Sequence, residues 1–210
     1  MTYSLMHGPA LRQEFPYTFF LPPDARVDCV GVGDQVKLGF AYDAPGERYA
    51  TERMWVTVTE FEDGAYAGDL DNEPFEKVMH LGQSVAFGRE HILDIQLADE
   101  TAAPALVSRR EYWERCVVDA CVIEDGIPVE YLYREDGDLV DEGDEYADSG
   151  WRIRGRQGSD SDIAMDERRA AYVALGAVLN HDDSWLGLID APPGSAFMRD
   201  FATDRYEALK

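Results

Sequence analysis

Short runs of alternating hydrophobic and polar residues recur through the first half of the chain, and this pattern predicts β-strands joined by tight turns. Most of these runs are rich in β-branched and aromatic residues, and Glu62, Asp63 and Gly64 form a typical hairpin turn. The predicted strands span residues 35–40, 54–60, 65–70, 84–87 and 92–97. Five short strands with tight turns are typical of a small, mainly antiparallel sheet that is barrel-like or curved.

The second half of the chain predicts a sheet accompanied by one main helix. Residues 115–124 (RCVVDACVIE) and 128–134 (PVEYLYR) have the composition of strands, and the Asp-Gly pair between them predicts a hairpin. The second of these strands places Tyr131 and Tyr133 on one face. Residues 166–180 carry apolar side chains at helical spacing, with acidic residues at the start, and predict the main helix.

A loss of strand character near residues 98–104 predicts a domain boundary. Thr101 can cap a helix over residues 104–115, because proline is tolerated in a first helical turn. We therefore expect an extended lead-in over residues 1–32 with at most one short helix, a β-rich domain over 33–98, and an α+β domain over 99–210. The predicted fold class is α+β, with two small, mainly antiparallel β units.

The balance of charges excludes some classes of partner. The chain has 210 residues with 42 acids against 19 bases, a net charge of −23. Phosphate neutralisation requires a basic surface, so we expect no nucleic-acid partner and no anionic membrane partner. Residues 1–103 carry −11 and residues 104–210 carry −12, so the whole surface is acidic. Only residues 135–148, with eight acids and no base, concentrate the charge, and they predict a solvated loop.

The cysteines and the hydropathy pattern predict a cytoplasmic protein. Cys29, Cys116 and Cys121 are odd in number and form no C-x-x-C motif, which disfavours a disulfide framework. No apolar run approaches the roughly 20 residues of a membrane-spanning helix. The first 20 residues also lack the charged and apolar regions of a signal peptide.

Motifs for catalysis or metal binding are weak, and we expect no cofactor. The four histidines are scattered without zinc-ligand spacing. Ser195 lies in Pro-Gly-Ser-Ala-Phe, which is not the G-x-S-x-G motif of a nucleophile elbow. The remaining candidates for chemistry are the carboxylates of Asp182, Asp183 and Asp190.

Two stretches of the sequence resemble known bacterial families. Residues 33–95, with M-W-V-x-V-T-E, L-x-N-x-P and G-x-x-V segments, resemble the domain of unknown function numbered 2314. Residues 115–200 resemble the domain of unknown function numbered 2185, which is grouped with the immunity protein 33-like family of polymorphic-toxin systems. The matching segments are residues 116–118, 126–135 with Y-x-Y-R-E, 148–152, 180–182 and 188–200. The tract before the helix departs from the family and is here rich in serine and aspartate, at residues 158–162.

The resemblance implies a non-catalytic protein that binds and silences a toxin of the same cell or of its neighbours. Neither family offers catalytic residues to carry over. An acidic protein suits a basic toxin or another basic protein through electrostatic complementarity. Two alternatives remain open: an enzyme that uses the carboxylate cluster, and a general acidic interaction module whose charge serves mainly solubility.

The acidic loop and its flanks are the candidate partner-binding residues. In one interpretation Trp151 packs in the core and Arg134 pairs with a loop acid, so that both hold the fold. In the other, they belong to a surface groove, since tryptophan and arginine often anchor interfaces. The candidate residues are Arg134, Glu135, Asp136, Asp138, Asp141, Glu142, Asp144, Glu145 and Trp151.

Overall fold

Two six-stranded sheets hold most of the regular structure in the computed structural model, which describes residues 3–43, 48–101, 103–140 and 143–209. Each sheet lies in one of two units, Met1–Arg109 and Arg110–Lys210. The domain limits drawn from the sequence remain predictions. In the described ranges no helix has the length and apolar character needed to cross a lipid bilayer.

The first unit is a curled antiparallel sheet. Its strands are β1 (Tyr3–Leu5), β2 (Gln35–Tyr42), β3 (Thr51–Glu62), β4 (Ala65–Leu70), β5 (Ser84–Gly88) and β6 (Ile92–Gln96). The strand order is β1-β2-β3-β4-β5. Strands β1 and β6 share one edge of β2: β1 pairs with residues 40–42 of β2, and β6 pairs with residues 35–38. Two short helices, α1 (Gly8–Glu14) and α2 (Asp24–Val27), lie between β1 and β2.

A short connection explains the curl of this sheet. The 3₁₀ turn Arg89–His91 joins β5, at one edge of the sheet, to β6, which pairs with β2. Such a turn rises only about 2 Å per residue. In a flat sheet, four strand spacings would separate β6 from β5 by about 19 Å. The sheet must therefore curl until its ends approach, which confirms the expected barrel-like or curved form.

The core of the first unit lies on the inner face of the curled sheet. Alternate residues of β2 and β3 point into it, and Val36, Leu38, Phe40 and Val56 are completely buried. The alternation of buried and half-exposed positions follows the period of two that the sequence shows. Burial of this apolar face is the main force that holds the unit together.

The first segment contains more regular structure than the sequence indicated. Instead of an extended lead-in with at most one short helix, residues 3–32 contain β1, α1 and α2. Helix α1 is capped by His7, whose Nδ1 accepts a hydrogen bond from the Ala10 N–H at 3.1 Å. Pairing of Tyr3 with Tyr42 then makes β1 part of the sheet, a contact between distant residues that local composition does not reveal.

The second unit is a mixed sheet with helices against it. Its strands are β7 (Arg115–Asp119), β8 (Val129–Arg134), β9 (Asp148–Gly155), β10 (Ala170–Ala174), β11 (Ala196–Asp200) and β12 (Arg205–Ala208), and its helices are α3 (Ala120–Glu124), α4 (Asp162–Asp166) and α5 (Leu175–His181). The strand order is β10-β7-β9-β8-β11-β12, and only the β7–β9 pair is parallel. The predicted class, α+β with mainly antiparallel strands, is confirmed.

The predicted hairpin between residues 115–124 and 128–134 is wrong. Strand β7 ends at Asp119, and the apolar residues that follow form α3, in which Ala120 and Val122 are buried. Strand β9 lies between β7 and β8 and pairs with both. The run of apolar residues is compatible with either a strand or a buried helix, and packing of α3 against α5 decided the outcome.

The main helix predicted over residues 166–180 is also partly wrong. Asp166 is the last residue of α4, Leu175–His181 forms α5, and Ala170–Ala174 forms β10, which pairs with the outer edge of β7. The apolar side chains at helical spacing thus belong to two elements. Residues 104–114, predicted to be helical, contain no helix in the described part of the chain. Pairing with an open strand edge overrode local helix preference in β10.

The curled sheet generates a first prediction. Leu38→Ala removes a completely buried side chain, whereas Leu81→Ala truncates one that is 53% exposed. We expect the first substitution to lower the free energy of unfolding by about 2–5 kcal/mol, and the second by less than about 0.5 kcal/mol. Urea unfolding followed by circular dichroism measures both. Equal effects would contradict the core that is assigned to this face.

Candidate partner-binding site

The acidic loop, residues 135–148, has a narrow neck made by two glycines. The Glu135 N–H donates to the Gly150 carbonyl at 2.9 Å. Gly150 has a φ of +80°, and a Cβ there would lie 2.0 Å from the Glu135 carbonyl oxygen. A Cβ on Gly137 would lie 2.1 Å from the Asp148 carbonyl oxygen. The two backbone segments therefore approach so closely that only glycine fits at either position.

A buried ion pair holds the end of the loop. Both carboxylate oxygens of Asp148 accept hydrogen bonds from Arg152, at 3.0 and 2.9 Å, and only 1% of the Asp148 side chain is exposed. Arg152 Nε also donates to Glu135 at 3.0 Å. Burial alone would raise the pKa of Asp148, but hydrogen bonds from Arg152 and from the Gly150 and Leu139 N–H groups outweigh it and hold that pKa below its usual range.

A second ion pair ties the loop to β7. Arg115 donates through Nε to Asp144, whose side chain is largely covered, and the Arg115 N–H donates to the Ala147 carbonyl at 2.8 Å. The hydrogen bond from Arg115 lowers the pKa of Asp144. Asp144 is therefore a structural residue of the loop, and the solvated loop expected from the sequence is anchored on both of its sides.

The tip of the loop is exposed and combines acidic with apolar side chains. Asp136, Asp138 and Glu145 are exposed. Leu139 is 45% exposed and Val140 is 92% exposed, and Tyr146 is exposed as well. Asp141 and Glu142 lie outside the described residues. Exposed apolar groups beside the carboxylates are not needed for solubility, and they are typical of a surface that meets another molecule.

Arg134 and Trp151 lie beneath this surface. Arg134 donates through Nε to the Ser149 carbonyl at 2.9 Å and through one terminal nitrogen to the Ala191 carbonyl at 2.7 Å. It does not pair with a loop acid in the described structure. Trp151 is completely buried, and its indole N–H donates to the Ile189 carbonyl at 3.2 Å. Trp151 therefore holds the fold and cannot contact a partner in this conformation, whereas Arg134 is half-buried.

Hydrogen bonds of Arg134 join three of the segments that carry the family resemblance. Arg134 belongs to the Y-x-Y-R-E segment and holds carbonyls of two others, the segments at 148–152 and 188–200. The Arg134 N–H donates to the Ser195 carbonyl at 2.9 Å, and the Gly194 N–H donates back to the Arg134 carbonyl at 2.7 Å. Segments that are distant in sequence thus meet around one side chain.

A groove of about 670 Å³ lies where β8 meets β11. Its lining residues are Tyr131, Tyr133, Arg134, Glu135, Asp136, Pro193, Gly194, Ser195 and Ala196. The rings of Tyr131 and Tyr133 stack with their centroids 5.5 Å apart. Burial and the nearby Glu135 carboxylate raise the pKa of Tyr133, so its phenol is neutral at physiological pH. The groove brings together three of the predicted residues: Arg134, Glu135 and Asp136.

A smaller groove of about 260 Å³ lies on the other side of Tyr131, which lines both. Glu130, Asp162, Asp166, Arg154 and Met198 are among its lining residues. Glu130 reaches it through a β-bulge, because the pairing of β8 with β9 skips one residue between Val129 and Tyr131. Sequence reasoning missed Glu130, although it placed Tyr131 and Tyr133 on one face.

Of the three carboxylates proposed for an enzyme, Asp182 and Asp190 are bound to arginines, and neither these two nor Asp183 lines the two grooves. Asp182 pairs with Arg199 at 2.8 Å and accepts the Val129 N–H. Asp190 pairs with Arg110, whose hydrogen bonds lower the pKa of Asp190. A general acid at neutral pH would need a raised pKa instead. Within the described ranges, no group of three or more histidines, cysteines or acids is arranged to hold a metal ion.

Sequence reasoning also missed the residues that shape the loop: Gly137, Gly150, Asp148, Arg152 and Arg115. A signal for three of them was present, since Asp148, Gly150 and Arg152 stand in a family-like segment. The sequence did not reveal their structural roles, because it does not show whether a carboxylate of an acidic loop is exposed to solvent or buried against an arginine. Only the folded chain brings Arg115 and Arg152 to the loop.

One family model matches a large part of the second unit. Residues 116–208 match the model described as "Immunity protein Imm33 domain". The match covers less than half of the chain and lies within the second unit. It supports an immunity domain in the C-terminal part, whereas the similarity of residues 33–95 to domain 2314 is unconfirmed. Searches of curated proteins and of solved structures returned no match.

The glycine neck generates a second prediction. Gly143, with a φ of +89°, has open space around its Cβ position. Gly143→Ala should therefore lower the free energy of unfolding through conformational strain alone, by about 1–2 kcal/mol. Gly137→Ala places a Cβ against the Asp148 carbonyl oxygen and should lower the free energy of unfolding by about 1–3 kcal/mol. Gly150→Ala combines the strain of a positive φ with a close backbone contact, and it should lower the free energy of unfolding by about 3 kcal/mol or more. Urea unfolding of the three variants checks this order. A Gly150→Ala variant no less stable than Gly143→Ala would contradict the close contact.

The buried ion pair generates a third prediction, on pH. Because the folded state lowers the pKa of Asp148, its contribution to stability is present above the unfolded pKa of about 4. It is lost as the pH falls through the folded value. Wild type should therefore be more stable than Asp148→Asn at pH 7, and the difference should shrink steadily below about pH 4. Unfolding of both proteins across pH 7 to 2.5 measures it, and a difference independent of pH would contradict the assignment.

Proposed function

We propose that this protein is an immunity-type protein that binds and neutralises a toxin of the same cell or of a neighbouring cell. The match of residues 116–208 to the immunity domain carries the proposal. The segments of that domain meet around Arg134, next to an exposed loop that suits a partner. The proposed mechanism is occlusion by binding and involves no chemical step.

The exposed loop tip is the proposed contact surface. Its described acids are Asp136, Asp138 and Glu145, and the predicted residues Asp141 and Glu142 lie outside the described residues. The ion pairs of Arg152 and Arg115 hold both sides of the loop, so little conformational freedom need be lost on binding. Arg134 and Asp144 position the surface, and Trp151 supports it from the core. The exposed Leu139 and Val140 add apolar contact area.

A basic toxin is the partner that this surface fits best. The net charge of −23 produces a field that attracts a cationic protein and raises its association rate. Acids at an interface rim act mainly on this rate and on partner choice, whereas apolar groups at the centre slow dissociation. The exposed apolar residues of the loop favour this function over an acidic module that serves solubility alone.

Co-expression with a toxin encoded beside the gene tests the proposal. Cells that express the toxin with the wild-type protein should grow, whereas cells that express the toxin alone should not. The purified pair should form a complex whose association slows at higher salt. Absence of a neighbouring toxin gene, or absence of protection, would contradict the proposal.

Charge reversal locates the contact surface and is a fourth prediction. The triple variant Asp136→Lys, Asp138→Lys and Glu145→Lys should slow association with the toxin about tenfold or more, because it reverses the local field. The matched control reverses three exposed acids of the first unit, Glu60, Glu62 and Asp69, and changes the net charge equally. Equal slowing in both variants, measured by surface plasmon resonance, would assign the effect to total charge and contradict the loop as the contact surface.

A further inference from the structure

Two neighbouring grooves of the second unit share Tyr131 as a lining residue. We call this surface the tyrosine strip, and it consists of Tyr131, Tyr133, Met198 and the acids at the rims of the two grooves. The rim acids are Asp136 in the larger groove and Glu130, Asp162 and Asp166 in the smaller one, whereas Glu135, which also lines the larger groove, is paired with Arg152.

The arginines of the strip are already engaged by internal acceptors. Arg134 donates to backbone carbonyls, and Arg152 is held by Asp148 and Glu135. Arg154 pairs with Asp119 at 2.9 Å and donates to the Met165 carbonyl. Because these cations are turned to partners within the unit, the charge that the rims present to solvent is that of carboxylates, and Asp136, Asp162 and Asp166 are exposed.

The tyrosine rings offer faces that no cation covers. Elsewhere in the described residues, arginines lie over rings, as Arg199 does at 5.0 Å from the Phe201 centroid and Arg109 at 3.9 Å from that of Phe20. Among the described residues, no guanidinium or ammonium group lies over Tyr131 or Tyr133. A cation placed there would gain both a ring face and a nearby carboxylate.

The spacing of the tyrosines indicates the shape of the occupant. Tyr131 and Tyr133 are two residues apart on one strand, so their backbone positions lie about 7 Å apart, and their rings lean together until the centroids are 5.5 Å apart. Side chains on one face of an extended peptide have the same spacing, whereas neighbouring residues point to opposite faces. An extended segment with basic residues at alternate positions would therefore meet both rings.

We propose that the tyrosine strip binds an extended basic segment of the protein partner, with one cationic side chain against each of Tyr131 and Tyr133 and its charge at the rim carboxylates. This rests on the proposed function in so far as the partner is the toxin. It adds a second contact surface, which adjoins the loop and shares Asp136 with it, and it states the chemistry and spacing that the surface recognises.

Synthetic peptides test the proposal without knowledge of the toxin. The probes are acetylated, amidated pentapeptides: Gly-Arg-Ser-Arg-Gly, its isomer Gly-Arg-Arg-Ser-Gly, and Gly-Cit-Ser-Cit-Gly, in which uncharged citrulline replaces arginine. Titration of the full-length protein at low salt, followed by NMR, gives dissociation constants and the residues that shift. We expect the citrulline peptide to bind about tenfold more weakly, and the isomer about threefold more weakly, than the alternating peptide.

Variants assign the binding to the strip. Tyr131→Ala should weaken binding of the alternating peptide about tenfold, whereas Tyr131→Phe should retain it because the ring face remains. Tyr49→Ala, at an exposed tyrosine of the first unit, is the matched control and should have no effect. If Tyr131→Ala fails to fold, the comparison of the three peptides on the wild-type protein still decides the question.

Three outcomes would overturn the proposal. These are equal affinity for the arginine and citrulline peptides, equal affinity for the two arginine isomers, and NMR shifts confined to the loop rather than Tyr131 and Tyr133. Failure of the proposed function is distinguishable. Protection against a toxin that persists in Tyr131→Ala, with no peptide binding, overturns the strip alone, whereas peptide binding at the strip without protection by the wild type overturns only the immunity role.

Discussion

The close approach of two backbone segments at Gly137 and Gly150 is the constraint on which the site depends. It closes the neck of the acidic loop, brings Glu135 beside β9, and leaves Asp148 buried opposite Arg152. A buried carboxylate is tolerated only where hydrogen bonds compensate for the loss of water, and Arg152 and two N–H groups supply them. The geometry of the neck therefore fixes both the position of the loop and the orientation of its charges.

In the second unit, the arginines of the central strands are bound to internal acceptors, whereas many acids face solvent. Arginines from the central strands are bound to internal acceptors: Arg134 to carbonyls, Arg152 to Asp148, and Arg154 to Asp119. Exposed acids then dominate the surface even though arginines are frequent in this half of the chain. This arrangement gives an acidic protein a directed surface, because the bases hold the fold and the remaining acids face outward.

The pattern of hydrophobic residues was sufficient to predict five of the six described strands of the first unit, all but β1, and residues 65–70 form a strand with the same limits as predicted. It failed where one apolar run could serve two structures. Residues 115–124 became β7 and α3, and residues 166–180 became β10 and α5 after an irregular start. In both places the outcome depended on a partner distant in sequence: β9 beside β7 in the first, and the open edge of β7 in the second.

The sequence by itself determined the fold class, the acidic surface and the resemblance of the second half to an immunity domain, because these follow from periodicity, composition and short motifs that are local. Only the tertiary structure decided that Trp151 is buried, that Arg134 binds carbonyls rather than acids, and that Tyr131 separates two acidic grooves. The physical reason is that exposure and charge pairing depend on which strands become neighbours. Which strands become neighbours depends on the packing of the whole unit and cannot be read from a single segment.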